Sequence, residues 1–310
     1  MPPTPSSPQR TLGIGVVFAI SAYGLWGFLP LFFRALEPAG ALEIVAWRIV
    51  LSLVFCALLL TVLRGWGAFA VIMRDRRTVL IMGAAGALIL VNWLVYVFAT
   101  LNDHVVEASL GYFANPIVTV LLGVVVLRER LRPMQWAAIG ISAIAVVVLA
   151  VNYGQVPWIA LALAFSFGIY GFIKKQVGGR VDAVSGLTIE TAWLAPAAGI
   201  TLGVIAANGD LVLGTQGGIH TLLLLSAGAV TAIPLLLFAA AARRIPLVYL
   251  GLSQYLAPVL QFVIGVFVFR EDMPFARWLG FALVWVALIV LTIDMLRANR
   301  ALRRASLEPV

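Results

Sequence analysis

Two ionisable side chains lie within long apolar runs of this 310-residue chain, Arg48 and Glu190. Burying a charge at membrane depth costs about 2.5–3.5 kcal/mol on insertion scales, so each needs a reason to be there. Together they could orient a charged or zwitterionic solute, and Glu190 could carry a coupling proton. The other reading is structural: each meets a helix carbonyl, an amide or an opposite charge and ties a bundle together. Glu43 opens the same run as Arg48, where a carboxylate suits a helix N-terminus. At about one turn from Arg48 it reads as a partner and cap.

Polar aromatic and amide residues form a second set. Tyr23 and Trp26 share one run, and Asn92, Trp93 and Tyr96 another. Further along come Tyr112 with Asn115, then Tyr170, then Gln254, Tyr255 and Gln261. Asn92 and Tyr96 are four apart and so share a helix face. These residues could line a pocket, or their amides could bond between helices at under about 1 kcal/mol each. The candidate substrate-binding residues are Glu190, Arg48, Tyr23, Trp26, Asn92, Tyr96, Tyr112, Asn115, Tyr170, Gln254 and Tyr255. Trp66, Trp158 and Trp278 fall near run ends and read as interface anchors. Pro116 and Pro258 within runs imply either a hinge or a static kink. Gly199 and Gly203 form a GxxxG pair, a mark of close helix packing.

Other chemistries lack their residues. His104 and His220 sit near run ends, as do the two lysines, Lys174 and Lys175, and Asp294 lies near a mouth. The single cysteine, Cys56, allows no internal disulfide and no cysteine-based metal site. No GxxxxGK[ST] motif occurs, so ATP is not the direct energy source. The expectation is no catalytic residue, no metal and no cofactor.

The chain is 63% hydrophobic and 11% charged, with a net charge of +8. Soluble domains are nearer 45–50% apolar and about 25% charged. The basic balance does not point to nucleic acid, because Lys and Arg cluster between apolar runs. A bilayer core about 30 Å thick needs about 20 apolar residues per helix. Ten runs qualify: Leu12–Phe33, Ala41–Leu63, Val79–Thr100, Glu107–Leu127, Pro133–Val151, Pro157–Ile173, Val184–Ala206, Ile219–Ala242, Leu247–Phe269 and Phe275–Leu296. Their length excludes barrel strands. Residues 1–11 read as a disordered tail and 297–310 as a basic tail, both cytoplasmic. The first run is too long and aromatic for a signal peptide. With the N-terminus inside, seventeen of the 21 Lys and Arg fall on the cytoplasmic side and three outside, Arg48 being intramembrane. That bias sets both termini inside.

The chain also repeats itself. PIVTVLLGVVVLRERLRPMQW (Pro116–Trp136) aligns with PVLQFVIGVFVFREDMPFARW (Pro258–Trp278) at an offset of 142. Pro, Gly, Arg-Glu and Trp keep register, Ala85–Gly86–Ala87 matches Ala227–Gly228–Ala229, and Arg48 matches Glu190. Chance similarity between apolar helices is the competing explanation. The fold class expected is an all-α membrane protein of ten transmembrane helices in two five-helix repeats, residues 12–151 and 152–296. An odd number of spans turns the second copy upside down. Inverted repeats of this kind place a solute site near the bilayer midplane.

Several runs resemble the drug/metabolite transporter superfamily, specifically its RarD-type EamA permeases. They are Tyr23–Pro30 (YGLWGFLP), Glu43–Arg48 (EIVAWR), Asn92–Trp93, Glu107–Pro116 (EASLGYFANP), Ala164–Gly171 (AFSFGIYG), Ile189–Thr191 (IET) and Thr231–Leu235 (TAIPL). Glu129 with Gln135–Trp136, Gln254–Tyr255 with Pro258, Glu271 and Trp285 match as well. Arg270 departs from the small or neutral residue expected there. The resemblance implies a five-plus-five inverted fold in the bacterial inner membrane and export of small metabolites or drugs by a secondary-active or facilitative route. The partners expected are an amphipathic or zwitterionic small-molecule solute, protons and membrane lipids. A lipid or lipid-linked-sugar flippase on the same frame is the alternative.

Overall fold

The computed structural model describes residues 8–128, 131–153, 156–177, 180–242, 244 and 253–305, and among these the chain forms helices and turns with no strand. The helices are α1 (Pro8–Gly27), α2 (Leu29–Arg34), α3 (Ala41–Val62), α4 (Trp66–Arg74), α5 (Arg76–Leu101), α6 (Val105–Leu127) and α7 (Pro133–Tyr153). They continue as α8 (Trp158–Val177), α9 (Ala183–Ala207), α10 (Gly217–Leu225), α11 (Ala227–Ala242), α12 (Leu256–Val263) and α13 (Phe275–Ala305). A π-helical turn, Ile264–Val268, extends α12.

Among the described residues, seven segments are long and apolar enough to cross a bilayer. They contain α1–α2, α3, α5, α7, α9, α10–α11 and the first part of α13. Trp158–Lys174 and Leu256–Val268 are shorter apolar helices. The start of the predicted Leu247–Phe269 run, residues 247–252, and Glu129 lie outside the described residues. Large apolar side chains such as Val62, Ile200, Ile219 and Phe275 stand exposed. Acyl chains solvate such a surface, and a continuous helix leaves no backbone group unpaired in lipid.

Four details differ from the expected runs. The first run breaks at Phe28, because Pro30 has no N–H to continue the ladder to the Trp26 carbonyl. That freed carbonyl accepts from Gln261 Nε2 on α12 at 3.2 Å. The eighth is interrupted at Ser226, whose hydroxyl donates to Leu223 O at 2.6 Å while its amide donates to both Leu222 O and Leu223 O. Helix α4, expected as loop, is a short amphipathic helix. Its Trp66 is exposed, and its Phe69 and Ile72 pack beside Met82 and Val177. Arg64, Arg74, Arg76 and Arg77 crowd its ends, a composition suited to the headgroup layer. Finally, α13 runs on to Ala305, through most of the predicted tail.

The helices pair in a regular way. Helix α3 packs on α9, α7 on α13, and α6 on both α8 and α12. Helix α1 packs on α11 and α12, α5 on α8 and α9, and α11 on α3. Glycines set the closest approaches. A Cβ on Gly228 would fall 2.4 Å from the Leu51 carbonyl, and one on Gly86 would fall 3.2 Å from the Glu190 carbonyl oxygen. Gly199 and Gly203 have open space around them, so the GxxxG pair makes no close contact within this chain.

Gly228→Ala should therefore lower stability by about 1–3 kcal/mol, the range for overpacking. Gly199→Ala should leave it unchanged or raise it by up to about 1 kcal/mol. Thermal unfolding in detergent distinguishes the two.

Candidate functional site

The site is built on the contact between α3 and α9. Arg48 is 4% exposed. Its Nε donates to Thr231 Oγ1 on α11 at 2.7 Å, and the Thr231 hydroxyl donates to Ala227 O at 2.8 Å. The guanidinium lies over the Trp93 ring at 4.2 Å and the Phe33 ring at 5.4 Å, within cation–π range. Its Nη1 is buried with no hydrogen-bond acceptor among the described residues. Glu43 is not its partner. Five residues apart on a helix, the two point about 140° away from each other. The Glu43 carboxylate instead accepts from the amides of Val212 and Leu213 at 3.1–3.2 Å, so it ties α3 to the segment after α9.

Glu190 is 1% exposed and differently served. Lys174 Nζ donates to Oε1 at 2.9 Å and the Tyr170 hydroxyl to Oε2 at 3.3 Å. Tyr170 and Lys174 are four apart on α8, so one face of that helix reaches the carboxylate with both groups. Gly186, one turn before Glu190, leaves room for the ammonium, which a Cβ would meet at 2.7 Å. Lys174 was expected as a charge at a helix end. Its four-residue spacing from Tyr170 was the available signal for its place in the site.

Aromatic rings join the two charges. Phe33 contacts Tyr96 at 6.0 Å, Tyr96 contacts Tyr112 at 5.4 Å, Tyr112 contacts Phe167 at 5.9 Å, and Phe167 contacts Tyr170 at 6.0 Å. Asn92 braces the middle of this path. Its Nδ2 donates to Ser166 Oγ at 3.1 Å and Leu163 O at 3.3 Å, and its Oδ1 accepts from the Tyr112 hydroxyl at 2.9 Å. The amide is committed on both sides, which is the interhelical reading rather than an open ligand contact.

The structure thus brings together Arg48, Asn92, Tyr96, Tyr112, Tyr170 and Glu190 from the predicted set. Asn115 is half-buried on α6, three residues after Tyr112. Tyr23 and Trp26 form a neighbouring cluster with Phe238, at 5.3–6.0 Å between rings. Tyr255 packs against a different cluster, around Phe262 and Phe281, with Gln254 beside it in sequence. Phe33, Phe167 and Thr231 join the candidate site on geometry; Phe167 and Thr231 lie in runs that carry the family resemblance, but nothing in their type or spacing marked them as site residues.

Ion pairs and caps close the bundle at its ends. Arg34 pairs with Asp103 at 3.0 Å, and Arg132 with Asp294 at 2.9 Å. Glu271 accepts from the amides of Val105 and Val106 at 2.6 and 2.9 Å, capping α6 from a distant part of the chain. A cavity of about 220 Å³ lies at the bundle periphery, lined by Phe98, Glu107, Trp158 and Phe281 among others. It is separate from the Arg48–Glu190 path.

Comparison with known proteins agrees with this architecture. The EamA-like transporter family matches residues 13–151. "Protein RarD" of Streptomyces exfoliatus is 50% identical over 97% of this chain and 93% of its own length. An "Uncharacterized transporter" of Vibrio cholerae serotype O1 is 41% identical over 96% and 98% respectively. A solved crystal structure superposes with a TM-score of 0.58 at 19% identity, over 92% of this chain and 98% of the other, and speaks to the fold alone.

Removing one member of a buried ion pair strands the other. Lys174→Met should cost about 3 kcal/mol at neutral pH, the lower end of the range for such breaks. The double variant Lys174→Met/Glu190→Gln should recover most of that loss. Melting of all variants in one detergent checks the cycle.

Proposed function

This chain belongs to the RarD-type EamA permeases of the drug/metabolite transporter superfamily, and on that premise we propose that it exports small metabolites or drugs across the bacterial inner membrane. It does so by a secondary-active or facilitative route. Ten spans form two five-helix units facing opposite ways, both termini are cytoplasmic, and the solute passes between the units along the Arg48–Glu190 path. The relatives' names favour a transporter over the flippase alternative.

The helix pairing supports the inverted arrangement. Under the offset of 142, the α1–α11 pair corresponds to α8–α5, and α11–α3 corresponds to α5–α9. The α6–α8 pair corresponds to α12–α1. The pairs α3–α9, α6–α12 and α7–α13 map onto themselves, as elements beside a twofold axis must. Arg128 and Arg270, also 142 apart, share a left-handed backbone at φ 53° and 55°. Non-glycine residues rarely adopt that conformation.

The observation that carries the coupling role is the carboxylate of Glu190, buried in the apolar layer and held by a lysine and a tyrosine hydroxyl. A group that can alternate between Lys174 and a proton links solute movement to a proton gradient. One charge moved across 100 mV is worth about 2.3 kcal/mol, enough to drive accumulation.

Two measurements test this. In proteoliposomes with a metabolite panel, a pH gradient should accelerate wild-type flux, and Glu190→Gln should cut the gradient-driven part at least tenfold while sparing exchange. Unchanged proton-dependent flux in that variant removes the coupling role. Cysteine tags beside Arg128 and beside Glu271 should label from opposite faces of the membrane, and labelling from one face rules out the inverted arrangement.

A further inference from the structure

We infer that Arg48 is the anchor for an organic anion, and that the transported solute is an aryl carboxylate rather than a cation or zwitterion. This rests on the transport reading above and names the solute class for the same site.

The inference comes from following each buried charge to its partner. Glu190 is neutralised by Lys174. Glu43 is occupied by two backbone amides. Among the described residues no carboxylate pairs with Arg48, and its Nη1 has no acceptor. Nε is fixed by the Thr231 hydroxyl, a neutral group that orients the guanidinium without cancelling its charge. A buried cation without a counter-ion is expensive, and the missing partner is the one a solute would bring. Thr231, Trp93 and Phe33 hold the planar fork in place, and such a fork suits a carboxylate better than a lysine ammonium does.

The surroundings define the rest of the solute. The guanidinium faces Trp93, and Tyr96 and Tyr112 lie within electrostatic reach of it. Phe33, Tyr96 and Tyr112 continue the same aromatic surface. A flat apolar body stacks on such a surface while its carboxylate meets Arg48. A zwitterion would also need a free anion for its ammonium. The nearest candidate along the path, Glu190, is already held by Lys174 and Tyr170.

The test is counterflow in proteoliposomes at neutral pH. The probes are 4-hydroxybenzoate and indole-3-acetate, each set against its amide and its matching amine, tyramine or tryptamine. Wild type should exchange the carboxylates saturably and at least tenfold faster than the amides or amines. Arg48→Gln should lose at least tenfold of that exchange, and Arg48→Lys should be intermediate. Thr231→Asp covers the case in which Arg48→Gln does not fold. It supplies the missing carboxylate from the protein, so it should melt no lower than wild type yet lose carboxylate exchange at least tenfold. A purely structural Arg48 predicts that Thr231→Asp transports normally. Exchange of amines or amides in place of carboxylates, or wild-type carboxylate exchange in folded Arg48→Gln or Thr231→Asp, overturns the anion assignment and leaves transport standing. Absence of exchange with these probes and with a broad metabolite panel removes both.

Discussion

Polar groups carried into an apolar layer find no water there, so each must find its partner on another helix. That constraint organises this bundle. Asn92 on α5 is held by Ser166 and Leu163 on α8 and by Tyr112 on α6. Gln261 on α12 takes the carbonyl of Trp26 that Pro30 leaves open. Glu43 and Glu271 take backbone amides from segments more than 160 residues away. Apolar packing between lipid-like surfaces supplies little preference for one neighbour over another. These few bonds, together with glycines such as Gly86 and Gly228 that let backbones touch, select which helices meet.

The two intramembrane charges obey the constraint to different degrees, and the difference carries the functional argument. Glu190 receives an ammonium and a hydroxyl from one face of α8. Among the described residues Arg48 receives a threonine oxygen and aromatic faces but no negative charge. The two side chains, 142 residues apart in the sequence, thus differ: the acid has a cationic partner and, among the described residues, the base has no anionic one. Ring contacts from Phe33 through Tyr96, Tyr112 and Phe167 to Tyr170 run between them.

Much of the fold was legible because the signals were long. Runs of about 20 apolar residues accumulate their signal over many positions, and they foretold an all-helical chain with several segments long enough to cross a bilayer. The misses came from local or non-local effects. The break at Phe28 depends on one proline within an otherwise continuous run, and the interruption at Ser226 is a single residue long. Helix α4 is too short, and too heavily flanked by arginine, to register as a span. For the candidate site, the sequence singled out Arg48 and Glu190 as charges within apolar runs and the Asn92–Tyr96 face by spacing, and the structure places these residues near one another. Sequence spacing misassigned Glu43, because proximity along a helix suggested Arg48 while the structure turns the carboxylate toward Val212 and Leu213. The Arg48–Thr231 pairing spans 183 residues and leaves no periodic trace, whereas Lys174 was signalled only by its spacing from Tyr170.

The cap that Glu271 places on α6 has a consequence for biogenesis. The amides of Val105 and Val106 precede their acceptor by 166 and 165 residues. At ribosomal speeds of about 5–20 residues per second, the fourth hydrophobic run waits roughly 8–33 s before its acceptor is even synthesised. Throughout that interval the first-turn donors of α6 must be served by solvent, as at the start of any uncapped helix. The tertiary cap on α6 therefore forms only after most of the second half of the chain has been made.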